Sequence, residues 1–347
     1  LGEATLVELA AAGNTFVDDV AAEALGEAIP STTWTKPPDK LQGMINLPNG
    51  MMAGFVGRDV HFAEPYRPYA WPDTYMQTVD FPVVGLGRID TTLVVLTTGV
   101  PYLMQGSAPE LVTVVKSDLE QAGVSKRSIV SMGGAVYYAS PDGLVKLSVD
   151  GSQMLTEALF GRVQWQMLNP STIHAYGHDN RYIAFYTLSD GTKGGFVLDL
   201  LSGLVVLHTI GAGSEADITA GYVDLRNDQL YLVNSNRQLV KWNAGAARTG
   251  KWRTKVFGLP QITGFSCVQV EAQATVDGAG NVIAAYPSGQ NVRVYCDGVL
   301  IHTQALTERT PFRLPPIQGR DWEMELDVKS EIFNLAIAQS MSEIAST

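Results

Sequence analysis

Short apolar runs separated by Gly- and Asp-centred turns recur along most of the chain. The clearest unit spans 124–149. Ser128 to Met132 is a first run, Gly133-Gly134 a turn, Ala135 to Ala139 a second run, Ser140-Pro141-Asp142-Gly143 a second turn, and Leu144 to Val149 an alternating third run. Runs of this length, rich in Val, Ile and Tyr and joined by such turns, predict consecutive hairpin strands. In the second turn Asp142 is expected to supply the turn geometry and Gly143 a positive φ. Equivalent middle runs fall at Val94, Tyr137, Ala184 and Leu230, at steps of 43, 47 and 46 residues. Four short strands every ~40–50 residues is the spacing of propeller blades. The pattern therefore predicts an all-β chain with a β-propeller-like repeat domain of about five to six irregular blades over 47–275. On turn spacing alone, a large β-sandwich or an irregular meander is the alternative.

Other stretches depart from this unit. Thr156 to Leu168 places Leu159, Val163 and Met167 at four-residue steps, with Thr156 as a cap and Asn169-Pro170 as a stop, and predicts a short amphipathic helix. Residues 31–46 hold Pro37 and Pro38, flanked by Pro30 and Pro48, and read as an irregular connector lying on a surface through Trp34 and Leu41. Residues 1–30 are Ala-rich. Val17 to Leu25 suits a helix by propensity, but two short runs around Gly13-Asn14 fit a last hairpin of a β module, and that reading is preferred. Residues 276–347 read as a separate small β-sandwich. A hairpin crosses Asp297-Gly298 within Asn291 to Thr303, Trp322 to Val328 alternates, and Ile332 to Ala338 follows. In the alternating strand Glu323, Glu325 and Asp327 are expected to form a solvated face.

Hydrophobic residues make up 46% of the 347 positions and charged ones 17%, which supplies a core and excludes a disordered chain. The formal net charge of −11 argues against general nucleic-acid affinity, which needs Lys and Arg to neutralise phosphate, although DNA can slide past an acidic wall. Cys267 and Cys296 are too few for a disulfide framework and are expected as buried thiols. No run approaches the roughly 18 apolar residues of a membrane-spanning helix. The chain opens at Leu1 without a Met, which points to a clipped or processed chain.

Catalytic signals are weak. His174 and His178 have a helical metal spacing, but on a strand they lie ~13 Å apart and are expected as edge and turn residues. Gly85-Leu86-Gly87 lacks both the third glycine and the βαβ setting of a dinucleotide loop. No nucleophile elbow, phosphate-binding loop or Cys-x-x-Cys pair occurs. Lys126, Arg127 and Arg88 are too few for a nucleic-acid track. The one chemically suggestive stretch is Pro65 to Tyr75. Its aromatics Tyr66, Tyr69, Trp71 and Tyr75 are the candidate contact residues for a partner chain or a glycan, against the alternative of a packed inter-blade loop.

Several strings carry more than the pattern. Leu41-Gln42-Gly43 with Leu47 to Phe55, Phe62 to Tyr66, Ala70-Trp71-Pro72, Leu96 to Leu103, Val124 to Val130, Tyr138 to Val145 and Asn169 to Tyr176 resemble a family of tailed-phage and prophage virion proteins. The similarity covers most of 30–275, with an echo at Arg320 to Leu326. The resemblance implies a non-enzymatic structural tail component, similar to nozzle proteins of short-tailed phages, with no cofactor and no metal. Such proteins build a ring of propeller-bearing subunits below the portal, around the DNA channel. The implied partners are copies of the chain itself in a homo-oligomeric ring, a hexamer being one size, together with other tail or portal proteins. DNA would pass through without specific binding. The implied location is the virion, after synthesis in the bacterial cytoplasm. Residues 1–30 would then end a fibronectin-like module. The competing function is a propeller that binds or cleaves carbohydrate on a host surface, with the Pro65–Tyr75 aromatics as its platform.

Overall fold

The most apolar runs, Thr92–Thr97 and Ala135–Ala139, become strands with every side chain buried, on both faces. The computed structural model describes residues 31, 34–200, 206–210, 216–245, 249–274 and 286–345. These residues are all-β apart from short helical turns, and the chain divides into two compact units, Leu1–Trp242 and Asn243–Thr347. The reading of 1–30 as the end of a β module lies outside the described residues.

Among the described residues the first unit contains five antiparallel meanders in chain order. The first is β1 (Gln42–Asn46), β2 (Met52–Val56), β3 (Asp59–Phe62) and β4 (Met76–Thr78). The second is β5 (Val83–Ile89), β6 (Thr92–Thr97), β7 (Tyr102–Gln105) and β8 (Thr113–Lys116). The third is β9 (Val130–Met132), β10 (Ala135–Ala139), β11 (Leu144–Ser148) and β12 (Gly151–Met154). The fourth is β13 (His174–His178), β14 (Arg181–Thr187), β15 (Lys193–Asp199) and β16 (Val206–Ile210). The fifth is β17 (Ile218–Asp224), β18 (Gln229–Asn234) and β19 (Leu239–Lys241).

Val94, Tyr137, Ala184 and Leu230, the residues that set the period, all lie on second strands. Such a strand divides its side chains between two neighbouring sheets, because successive residues point to opposite faces. On β6, Leu93 and Val95 pack toward the first sheet, while Val94 and Leu96 pack toward the third. On β10, Val136 and Tyr138 face the second sheet, and Ala135, Tyr137 and Ala139 face the fourth. On β14, Tyr182 and Ala184 face the third sheet, and Ile183 and Phe185 the fifth. Burial on both faces explains the unbroken apolar runs, and each fully buried large side chain contributes roughly 1.5–3 kcal/mol.

The first strands of the sheets meet in order. β1 touches β5, β5 touches β9, β9 touches β13, and β13 touches β17, whereas among the described residues β4, β8, β12 and β16 make no comparable contacts with one another. Glycines permit the approach. A Cβ on Gly87 would lie 2.8 Å from Val136, one on Gly177 2.7 Å from Val130, and one on Gly221 2.7 Å from the Tyr176 ring. Arg127 adds a bond across the junction to the Thr219 carbonyl.

Several expectations change. The C-terminal end of the 31–46 connector is strand, since β1 pairs with β2, and Leu41 packs over Gly54. Gly133 and Gly134 both have positive φ (57° and 71°), as a tight two-residue hairpin turn requires. Gly143 is not among the residues with positive φ. It is glycine because a Cβ there would meet the Thr156 hydroxyl and Met154. Thr156 caps no helix, and its hydroxyl accepts the Leu144 N–H at 2.9 Å. The helix is α1 (Arg162–Met167), shorter than expected and turned differently. Val163 and Met167 are exposed, while Trp165 is fully buried and donates its indole N–H to the Ser140 carbonyl at 2.9 Å.

The second unit begins ahead of the expected boundary at 275/276. Its first sheet joins β20 (Gly250–Arg253), β26 (Gln318–Val328), β23 (Asn291–Cys296) and β24 (Val299–Ala305), with β21 (Phe257–Gly264) also on β26. A second sheet sets β22 (Cys267–Ala272) between β25 (Phe312–Arg313) and β27 (Ile332–Ala338). The two share one core that includes Val268, Val270, Val292, Val294, Trp322 and Leu326. The runs at 252–257 and 265–272, which fall inside the expected 47–275 repeat domain, thus belong to this sandwich. A hairpin turn at Asp297-Gly298 (φ 49° and 77°) is as expected. Cys267 and Cys296 are buried and unpaired.

Candidate ligand-contact loops

Three connections gather at one end of the first two sheets: the β1–β2 turn, the long β3–β4 connection and the β7–β8 connection. The Asn49 amide donates to the Gly106 carbonyl at 3.3 Å, which ties the first to the third. The Tyr66 N–H donates to the Gly50 carbonyl at 2.9 Å, which ties the second to the first. The β3–β4 loop is also pinned from inside by Glu64 N–H to the Ala70 carbonyl and by Trp71 N–H to the Thr35 carbonyl, both at 2.9 Å. The first places Glu64 and Ala70 at the base of the loop, and the second brings the 34–35 segment alongside.

The four candidate aromatics separate into two groups. Tyr66 and Tyr69 are 79% and 63% exposed at the loop tip. Trp71 is 2% exposed and donates its indole N–H to the Pro68 carbonyl at 2.8 Å, so it anchors the loop rather than presenting a face. Tyr75 is half-buried against the core of the first two sheets. Its hydroxyl donates to Glu110 and lies 3.1 Å from Glu64 Oε2. The bond to Glu110 is the main cause, followed by burial and then Glu64, of a phenol pKa held well above its ordinary value.

Two further groups, Trp34 and Arg67, complete the surface. Trp34 meets Tyr69 edge to face, with ring centroids 5.9 Å apart. The Arg67 guanidinium lies 4.6 Å from the Trp34 ring centroid and 3.9 Å from Glu64 Oε1. The Tyr66 ring sits over Gly50, where a Cβ would come within 2.6 Å of it. Tyr66 also has φ 62°, a left-handed conformation that is strained for a bulky residue. Arg67 could be suspected from its place between two tyrosines. Glu110 carries no local signal, since it arrives from another sheet.

The other sequence candidates stand elsewhere. His174 and His178 lie at the two ends of β13. His174 Nε2 is 2.8 Å from the Ile218 carbonyl and its ring stacks on Phe185, and burial, then Arg127, lowers its pKa. His178 Nδ1 is 3.7 Å from Asp228. Gly85 and Gly87 lie in β5 against Ile129 and Val136. Glu325 and Asp327 do not form a solvated face, because each is 8% exposed. Arg293 on β23 bonds both, at 2.7 and 2.5 Å, and Arg253 on β20 bonds Glu323 at 2.6 Å. Asp142 pairs with Arg162 at 3.0 Å and accepts from Gln121 at 3.0 Å. Among the described residues, no group of three or more His, Cys, Asp or Glu is arranged to hold a metal ion.

No family model matches the chain, and no curated protein matches it. Solved structures give likenesses of low score. The extracellular domain of the hybrid two-component system BT4673 from B. thetaiotaomicron aligns at 11% identity and a TM-score of 0.32, over 63% of this chain and 38% of that one. The chain thus spans well under half of that protein's length. The fission yeast SREBP–SCAP binding-domain complex aligns at 11% identity and a TM-score of 0.37, over 77% of this chain and 74% of that one. At these scores neither likeness bears on fold or function.

Proposed function

We propose that the chain is a structural component of a phage tail or tail-like particle, nozzle- or hub-like, that assembles with copies of itself into a ring around the DNA channel. The observation that carries the reading is the chain-order contact of the first strands β1, β5, β9, β13 and β17. Sheets that meet along one edge and not along the other are the arrangement of propeller blades, and the first unit is read as five such blades. Together with the virion-protein strings in the same stretch, this favours a scaffold that presents loops and edges over one that encloses a reaction. The balance of 35 Asp and Glu against 24 Lys and Arg repels phosphate, so DNA would pass without being held. Other tail or portal proteins would be the ring's axial neighbours.

Light scattering after size exclusion, combined with mass spectrometry of purified particles, tests this. A closed oligomer in solution and a fixed copy number per particle are expected. A monomer at all concentrations, together with absence from the particles, would remove the proposal.

A further inference from the structure

We infer that the loop tip formed by Tyr66 and Tyr69, together with Glu64 of the same loop and Glu110 joined to it through the Tyr75 hydroxyl, binds an uncharged pyranose unit of a glycan. The inference is independent of the tail assignment. Two aromatic side chains stand largely exposed in a loop whose base is fixed by Trp71, by the Glu64–Ala70 backbone bond and by a bond to the 34–35 segment, and whose tip is tied at the Tyr66 N–H to the β1–β2 turn. A sugar offers such rings its apolar C–H face, while its hydroxyls need acceptors nearby. Glu64 and Glu110 provide them. A hydroxyl carries one proton and serves one acceptor at a time, so with Tyr75 donating to Glu110, Glu64 Oε2 keeps capacity for a ligand hydroxyl while its Oε1 faces Arg67.

The charge around the tip narrows the class. The cation at the tip, Arg67, already faces Glu64 at 3.9 Å and the Trp34 ring, so a uronic or sialic acid would bring its carboxylate toward Glu64 and Glu110 with no free cation there, among the described residues, to receive it. A lysine-bearing peptide would seek the Trp34 face, but Arg67 already occupies it at 4.6 Å. An uncharged pyranose meets neither obstacle. Tyr66 adds a second line of argument. Its φ of 62° strains the backbone, and although its ring rests on Gly50 the residue stays 79% exposed. A strained, exposed ring points to a contact outside the chain.

Affinity electrophoresis of the full chain through gels holding soluble mannan, galactan, amylose or glycol chitin tests the inference. Retardation by at least one polymer is expected, with a loss of affinity of about tenfold or more in Tyr66→Gly and in Tyr69→Ala. Glu110→Gln is expected to weaken retention without unfolding the chain. Retardation by none of the four polymers overturns the inference. So does retention unchanged in both tyrosine variants, or binding of fluorescent oligolysine in place of every glycan. Light scattering on the same variants separates the two proposals, since losing retention should leave assembly intact, and failed assembly should leave retention intact.

Discussion

Asp327 on β26 faces Arg293 on β23 at 2.5 Å, and Arg293 also holds Glu325 at 2.7 Å. The bond from Arg293 is the main reason the Asp327 carboxyl titrates below its ordinary 3.8, against an opposing contribution from burial. A carboxyl whose folded pKa is depressed binds fewer protons folded than unfolded. Its stabilisation is therefore present above pH 3.8 and is lost as pH falls through the lower, folded value. Arg293→Met should remove this protection and leave two nearly buried carboxylates short of a partner. The acid-unfolding midpoint of the second unit, followed by tryptophan fluorescence, should then move to higher pH, and stability at pH 7 should fall. An unchanged midpoint would show that Lys251, 3.6 Å from Glu325 and 3.9 Å from Asp327, and Arg253, 3.8 Å from Glu325, suffice to hold the row.

Elements meet where glycine lets them. Gly87 on β5 leaves room for Val136 of the third sheet, and Gly221 on β17 leaves room for Tyr176 of the fourth. Gly87→Val would press its branches into Val136 and Ile129, and should cost about 1–3 kcal/mol in urea denaturation. A cost near zero would mean that the sheets part without penalty, contrary to packing at the first strands. The same packing decides what is legible from the letters. Second strands such as β6 and β10 are legible because both faces are covered and the run is almost wholly apolar. β1 is not, since Gln42, Met44 and Asn46 are exposed and the strand carries little of the apolar pattern. The helix at 162–167 is legible in place but not in orientation, because the buried face rests on Trp165 alone and not on a four-residue step. At the candidate site, Tyr66 and Tyr69 can be read as surface aromatics in a proline-rich loop. Trp71 looks the same in sequence, yet its neighbours turn it inward. Glu110 cannot be read at all, because it reaches Tyr75 across 35 residues of chain.

At the scale of the whole chain, alternation reveals that a strand has a covered face but not which sheet covers it. That is why 252–272 falls within the expected 47–275 repeat domain while its strands pair with β26 and β27 of the second unit. The difference can be tested with fragments. A fragment 276–347 lacks β22, the central strand of its sheet, and leaves β25 and β27 without a partner between them. It also loses Val268, Val270 and Ala272 from the shared core, and both β20 and β21 from β26. A fragment 243–347 retains all of these, and with them a core of its own, which is what independent folding requires. Expressed separately, 243–347 should unfold cooperatively and give dispersed amide resonances, whereas 276–347 should show neither. Cooperative unfolding of 276–347 would mean that β22 is dispensable to the sandwich, and would return the boundary to 275/276.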